Sequence, residues 1–149
     1  MKLFKFAICL MMMFAVNSAF ATNNLQLQHN KEVVTAFYEA GLNNKDFAAA
    51  EKYMGSYYKQ HNPLAQDGKK GFKKYIDYLR ATFPRSHSDI KRIFAEDDYV
   101  ILHVQSIKVP ETRGQAIVDI FRLENGKIVE HWDVIQDVPE KSANDNGMF

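Results

Sequence analysis

The sequence predicts an α+β domain in which three N-terminal helices cover one face of a curved, four-stranded antiparallel sheet. Apolar residues recur at helical spacing up to about residue 83 and at strand spacing after it. Asn125-Gly126 also sits between two alternating apolar runs, the strongest short-range hairpin signal. Helices gathered in one block and strands in the next point to α+β rather than to a parallel α/β sheet.

The first residues stand apart from the fold. "MKLFKFAICLMMMFAVNSAFA" (residues 1–21) opens with Lys2 and Lys5, runs apolar from Phe6 to Val16, and closes on Ala19-Phe20-Ala21, a small-x-small cleavage pattern. This reads as a secretory signal peptide, because the apolar run falls short of the ~20 residues that a membrane span needs. The expectation is a periplasmic or secreted protein, cut near Ala21, with residues 22–149 forming one soluble domain that has no membrane partner after cleavage.

Within "HNKEVVTAFYEAGLNNKD", Val33, Val34, Phe37, Tyr38 and Leu42 share a helical face, with Asn30 as the expected N-cap and Gly41 to Asn44 as the stop. Asp46 is placed to cap a short second helix, "FAAAEKYM", ended by Gly55. "SYYKQHNPLAQDG" reads as irregular around Pro63. A third helix from about Lys69 to Phe83 gathers Phe72, Tyr75, Ile76 and Leu79 on one side, and Pro84 ends it. "DIKRIFAEDDYVILHVQSIKV" then gives two strands joined at Glu96-Asp97-Asp98. "GQAIVDIFRLENGKIVEHWDVIQ" gives two more. The tail stays polar until Met148-Phe149, an apolar end expected to fold back onto the body or onto a partner subunit.

Charge excludes one class of partner. The chain has 19 basic and 18 acidic residues; losing Lys2 and Lys5 leaves 17 against 18, a net charge of −1. No nucleic-acid partner is expected from that balance. The single cysteine, Cys9, falls inside the expected signal, so the exported form would hold no thiol, disulfide or cysteine-ligated metal.

Candidate chemistry gathers in the strands. Alternation puts His131 and Asp133 on one face of the last strand with Val129 and Ile135, and Glu130, Trp132 and Gln136 on the other. The strand before it carries Asp119 with Ile117 and Phe121, and "YVILHVQ" carries His103 with Tyr99 and Ile101. Carboxylates and imidazoles in an apolar setting must pair, and such pairs suit general acid–base work near neutral pH. Gln60, His61 and Asn62 add polar groups at a helix–sheet junction. Trp132, on the opposite face, suits a subunit interface. A zinc or iron site built from His61, His103, His131 and a carboxylate lacks H-x-H or H-E-x-x-H spacing, so no metal is expected.

"YYKQHNP", the "DG" that follows it, "VDIFRLENGKIVEHWDVIQ" and the closing "SANDNGMF" together resemble the SnoaL-like polyketide-cyclase group of the nuclear-transport-factor-2-like superfamily. The likeness is to the branch of SnoaL-like aldol-condensation enzymes and spans residues 30–149. It implies a cone-shaped fold enclosing a deep apolar pocket, and a homodimer formed through the sheet. It also implies an intramolecular aldol condensation driven by an aspartate assisted by a histidine, with no cofactor. Asp133 in "HWDV" and His61 in "QHNP" are the positions it implies. The export signal departs from cyclases that work beside a cytoplasmic synthase.

The functional expectation is therefore a small-molecule enzyme of aldol, isomerase or dehydratase type. Asp133 would take a proton alpha to a carbonyl, with His131 or His61 tuning it or protonating the oxygen, and Asp119 and His103 supporting them. Phe37, Tyr38, Tyr57, Phe72, Ile76 and Phe121 would form the walls, and Gln60 and Asn62 would contact the ligand, a small apolar or carbonyl-containing molecule. The alternative is a protein that only binds an apolar ligand in the same pocket.

Overall fold

The structure, a computed structural model, describes residues 23–149, so the expected signal peptide lies outside the described residues. Helix α1 covers residues 23–38 and continues through a wider π-helical turn, Glu39–Asn43. It starts earlier than expected because Leu25 to Gln28 are good helix formers and nothing there breaks the helix. Asn30 is consequently not a cap. It lies mid-helix, buried, with its amide donating to the Asp97 carbonyl at 3.5 Å.

Helix α2 (Phe47–Glu51) is capped as expected: Asp46 accepts from the Ala49 N–H at 3.0 Å. Helix α3 (Gly68–Thr82) turns Phe72, Ile76 and Leu79 into the core. Between α2 and α3 the expected irregular stretch is in its first half a strand, β1 (Met54–Gln60). Gly55 accordingly sits inside β1 rather than ending α2. The remaining strands fall where periodicity placed them: β2 (His87–Glu96), β3 (Tyr99–Ile107), β4 (Gln115–Glu124) and β5 (Lys127–Asp137).

The sheet has five strands in the order β1-β5-β4-β3-β2, with β1 parallel to β5 and the rest an antiparallel meander. Asn125 and Gly126 both have positive φ, the combination a two-residue type I′ hairpin requires. A bulge lets Arg122 pair with Glu130 and Leu123 with Ile128, leaving Val129 over. Val129 therefore packs against Gly55, where an added Cβ would come within 2.6 Å of it, and does not join the pocket wall as expected.

The helices cover the concave face of this open, curled sheet. Val34, Phe37, Phe72, Leu102, Phe121 and Ile128 are among the side chains that fill the space between. Phe37 stacks on Phe72 at 5.0 Å and meets Phe121 edge-on at 5.8 Å. Short of that core, toward β5 and the β1–α3 connection, the packing opens into a cavity.

Candidate active site

Beyond the bulge, β5 alternates cleanly. His131, Asp133 and Ile135 face the cavity, while Trp132 lies on the outer face of the sheet, stacked on His61. On β4, Ile117, Asp119 and Phe121 point inward beside them. Asp119 pairs with Asp133 and Phe121 with His131 across the ladder, so register alone brings the acid–base groups together. The cavity measures about 190 Å³ and is closed by Phe37, Tyr38, Phe72 and Tyr75 from the helices.

Asp119 is buried. One of its oxygens lies 2.9 Å from His131 Nε2, and the other accepts the Tyr38 hydroxyl at 3.1 Å. His131 is stacked 4.6 Å from Phe121, and its Nδ1 lies 3.1 Å from Gln60 Oε1. That oxygen also accepts the Asn62 N–H at 2.9 Å, which fixes the Gln60 amide orientation. Facing an acceptor, Nδ1 must carry a hydrogen. A further proton then lies between Nε2 and Asp119.

Asp133 is held differently. The Asn62 side-chain N–H2 donates to both of its oxygens at 2.8 Å, while the Asn62 amide oxygen accepts the Leu64 N–H at 2.8 Å. Asn62 therefore presents its donor, not its oxygen, to Asp133. Phenols complete the surroundings. Burial, then the Asp119 charge, pushes Tyr38 well above its ordinary value. Tyr58 rises for the same reasons, with Asp133 adding to them. Tyr75 is pushed up to about 12 by burial, then by Asp119 and Asp133. All three are uncharged hydroxyls at neutral pH.

Four residues expected at the site or in its walls do not line the cavity. His61, one residue from Gln60 and Asn62, takes the opposite side of the extended chain. Its Nε2 lies 2.7 Å from Glu130, and its ring stacks on Trp132 at 4.5 Å on the outer face. Tyr57 also faces outward, donating to Glu124 at 2.6 Å and accepting from Arg122 at 3.1 Å, and Tyr58 takes the inward place. His103 shares the outer face with Tyr99 and Ile101. It accepts from Arg92 at 3.0 Å, and Phe149 stacks on it at 5.5 Å, so the apolar tail end does fold back onto the body. Ile76 lies in the core rather than in the cavity wall.

The histidine trio considered for a metal is thereby split between two faces. The ligand atoms of Asp119, His131 and Asp133 do lie within 4.8 Å of one another. Each already has a hydrogen-bond partner, so a cation there would have to displace contacts from Tyr38, Gln60 or Asn62. Residues the sequence did not single out, among them Ser106, Lys108 and Gln115, also line the cavity, as does Tyr75 from the apolar side of α3.

The SnoaL-like domain family matches residues 34–131, ending two residues before Asp133. No curated protein matches the chain. Among solved structures, a candidate polyketide cyclase from Acidithiobacillus ferrooxidans is 22% identical with a TM-score of 0.61, covering 72% of this chain and 87% of its own. A nuclear-transport-factor-2-like protein of unknown function from Cytophaga hutchinsonii is 18% identical with a TM-score of 0.61, covering 72% and 89%. A SnoaL-like protein of unknown function from Burkholderia thailandensis is 15% identical with a TM-score of 0.62, covering 73% and 96%. At these identities the likeness is one of fold.

Proposed function

The chain belongs to the SnoaL-like domain family, and on that premise we propose that it is an exported enzyme acting by acid–base chemistry on a small carbonyl compound. The observation that carries this reading is the pairing of two differently held carboxylates on one cavity wall. Both oxygens of Asp133 accept from Asn62, whereas Asp119 shares its hydrogen bonds with His131 and Tyr38. Asp133 is then the base that removes a proton alpha to the carbonyl. The proton held between Asp119 and His131 is the acid for the carbonyl oxygen, which takes over one of those hydrogen bonds on entering. Tyr38 and Gln60 keep the pair oriented. Aldol closure, isomerisation and dehydration all begin with this step.

A homodimer through the sheet fits the same reading. Phe94, Ile101, Val118 and Val134 are exposed on the outer face near Trp132, the kind of surface a second subunit covers. Sedimentation analysis and the N-terminal sequence of the protein recovered from its host test dimer and export.

A binding protein without catalysis is the second reading. It is favoured by the completeness of the hydrogen-bond network, in which both ring nitrogens of His131 and both oxygens of Asp133 already have partners. Deuterium uptake at the alpha carbon of benzylacetone separates the two. Protein-dependent exchange supports the enzyme; saturable binding with exchange at the buffer rate supports the binder.

A further inference from the structure

The cavity has a second polar end, far from the acid–base pair. On β4, Asp119 and Gln115 lie four residues apart on the inner face, roughly 13 Å at about 3.3 Å per residue. The β4–β5 register sets Gln115 opposite Asp137, well beyond the Asp119–Asp133 pair. Ile117 and Ile135 fill the interval. Beyond them the wall changes character, with Ser86, Ser106, Lys108 and Gln115 lining the cavity, while Ser88 lies between the two ends beside the Tyr38 hydroxyl.

Two polar atoms in this wall are buried without a partner, the Ser86 hydroxyl and the Gln115 amide oxygen. The Gln115 amide is oriented by its N–H2, which donates to Asp137 at 2.8 Å, so the orphaned atom is its acceptor. Lys108, in the same wall, joins no ion pair among the described residues. Behind Ser86, the buried Lys45 ammonium bonds to the Ser86 and Asn43 carbonyls at 2.9 and 3.0 Å. Buried polar groups are ordinarily hydrogen-bonded, and a ligand or a water in this wall would satisfy both atoms.

We infer that this end is a head-group subsite for a carboxylate, and that the substrate is an elongated oxo-acid whose carbonyl lies at Asp133 while its carboxylate reaches Lys108 and the Ser86 hydroxyl. The orphaned Gln115 oxygen takes an O–H from the ligand's own hydroxyl or from a bound water. Cavity polarity favours this orientation: the Asp133 carboxylate at one end repels an anion, and the Lys108 ammonium at the other attracts it. The apolar middle takes the chain between them. This inference rests on the reading of Asp133 as the catalytic end.

The experiment is calorimetric titration of levulinate and its longer methyl-ketone homologues, each beside its methyl ester, into the wild type, Lys108→Gln and Asp133→Asn. Affinity should rise with length until the chain spans the cavity, and at that length the acid should bind roughly ten- to a hundredfold better than its ester. The ratio should fall toward one in Lys108→Gln and persist in Asp133→Asn. Equal binding of acid and ester, a ratio unchanged in Lys108→Gln, or no binding by any member would overturn the subsite. A Lys108-dependent preference with no alpha-proton exchange would leave the subsite standing and remove the catalytic reading instead.

Discussion

Replacing Asp119 with asparagine alters the proton inventory of the site while keeping its shape. Asp119 is 4% exposed and accepts from Tyr38 at 3.1 Å and from His131 at 2.9 Å. An asparagine of equal volume still accepts the Tyr38 hydroxyl through its oxygen and then turns its N–H2 toward His131 Nε2. Gln60 continues to demand a hydrogen on Nδ1, so the ring becomes a neutral imidazole with Nε2 as acceptor. Stability should fall by about 1–3 kcal/mol, the usual cost of disturbing a buried hydrogen bond. The acid for the carbonyl oxygen is lost, so exchange should slow by about 10²–10⁴, or roughly 3–5 kcal/mol of barrier. Thermal unfolding, ring-nitrogen NMR of His131 and deuterium uptake by benzylacetone read the three consequences separately. A folded variant whose His131 Nε2 carries no proton and whose exchange stays within about threefold of wild type would refute the assigned role of the pair.

Other perturbations reach different parts of the account. At Gly71, in the first turn of α3, an added Cβ would lie 2.1 Å from the Gln66 carbonyl, so Gly71→Ala must displace the connection that lines the cavity. It should cost about 1–3 kcal/mol in thermal unfolding and weaken ligand binding; a neutral effect on both would show that the connection yields freely. On the outer face, burial would raise the Glu130 carboxyl, but hydrogen bonds from His61 and Arg122 outweigh it and hold Glu130 below its ordinary range. Its stabilisation is present above the unfolded value of about 4.3 and is lost as pH falls through the lower folded value. Melting temperature should therefore drop less steeply below about pH 5 in Glu130→Gln than in the wild type, and parallel profiles would contradict that linkage.

Legibility followed locality. α3, both hairpins and the inward set Asp119, His131 and Asp133 were readable because periodicity, Pro84 and Asn125-Gly126 are local signals. β1 was not, because a parallel strand borrows its pairing from β5 across most of the domain and shows little alternation of its own. That omission also hid which tyrosine faces inward: Tyr57 and Tyr58 are neighbours on a strand, and only register chooses between them. His103 misled because both faces of β3 are apolar, one against the core and one exposed as Tyr99 and Ile101. His61 misled for a related reason. In an extended chain its neighbours Gln60 and Asn62 reach the cavity only if His61 turns away. The Ser86–Lys108–Gln115 end was invisible because its members sit at strand ends, where polar residues are ordinary.

Asp133 decides the account most directly. The measurement is deuterium uptake at the alpha carbon of benzylacetone by the wild type and by Asp133→Asn, with thermal unfolding of both as the check on folding. Asparagine keeps the volume at a half-buried site but cannot accept the substrate's proton. The account predicts protein-dependent exchange in the wild type and a loss of about a hundredfold or more in a variant that still folds. A folded Asp133→Asn protein exchanging at the wild-type rate would contradict it.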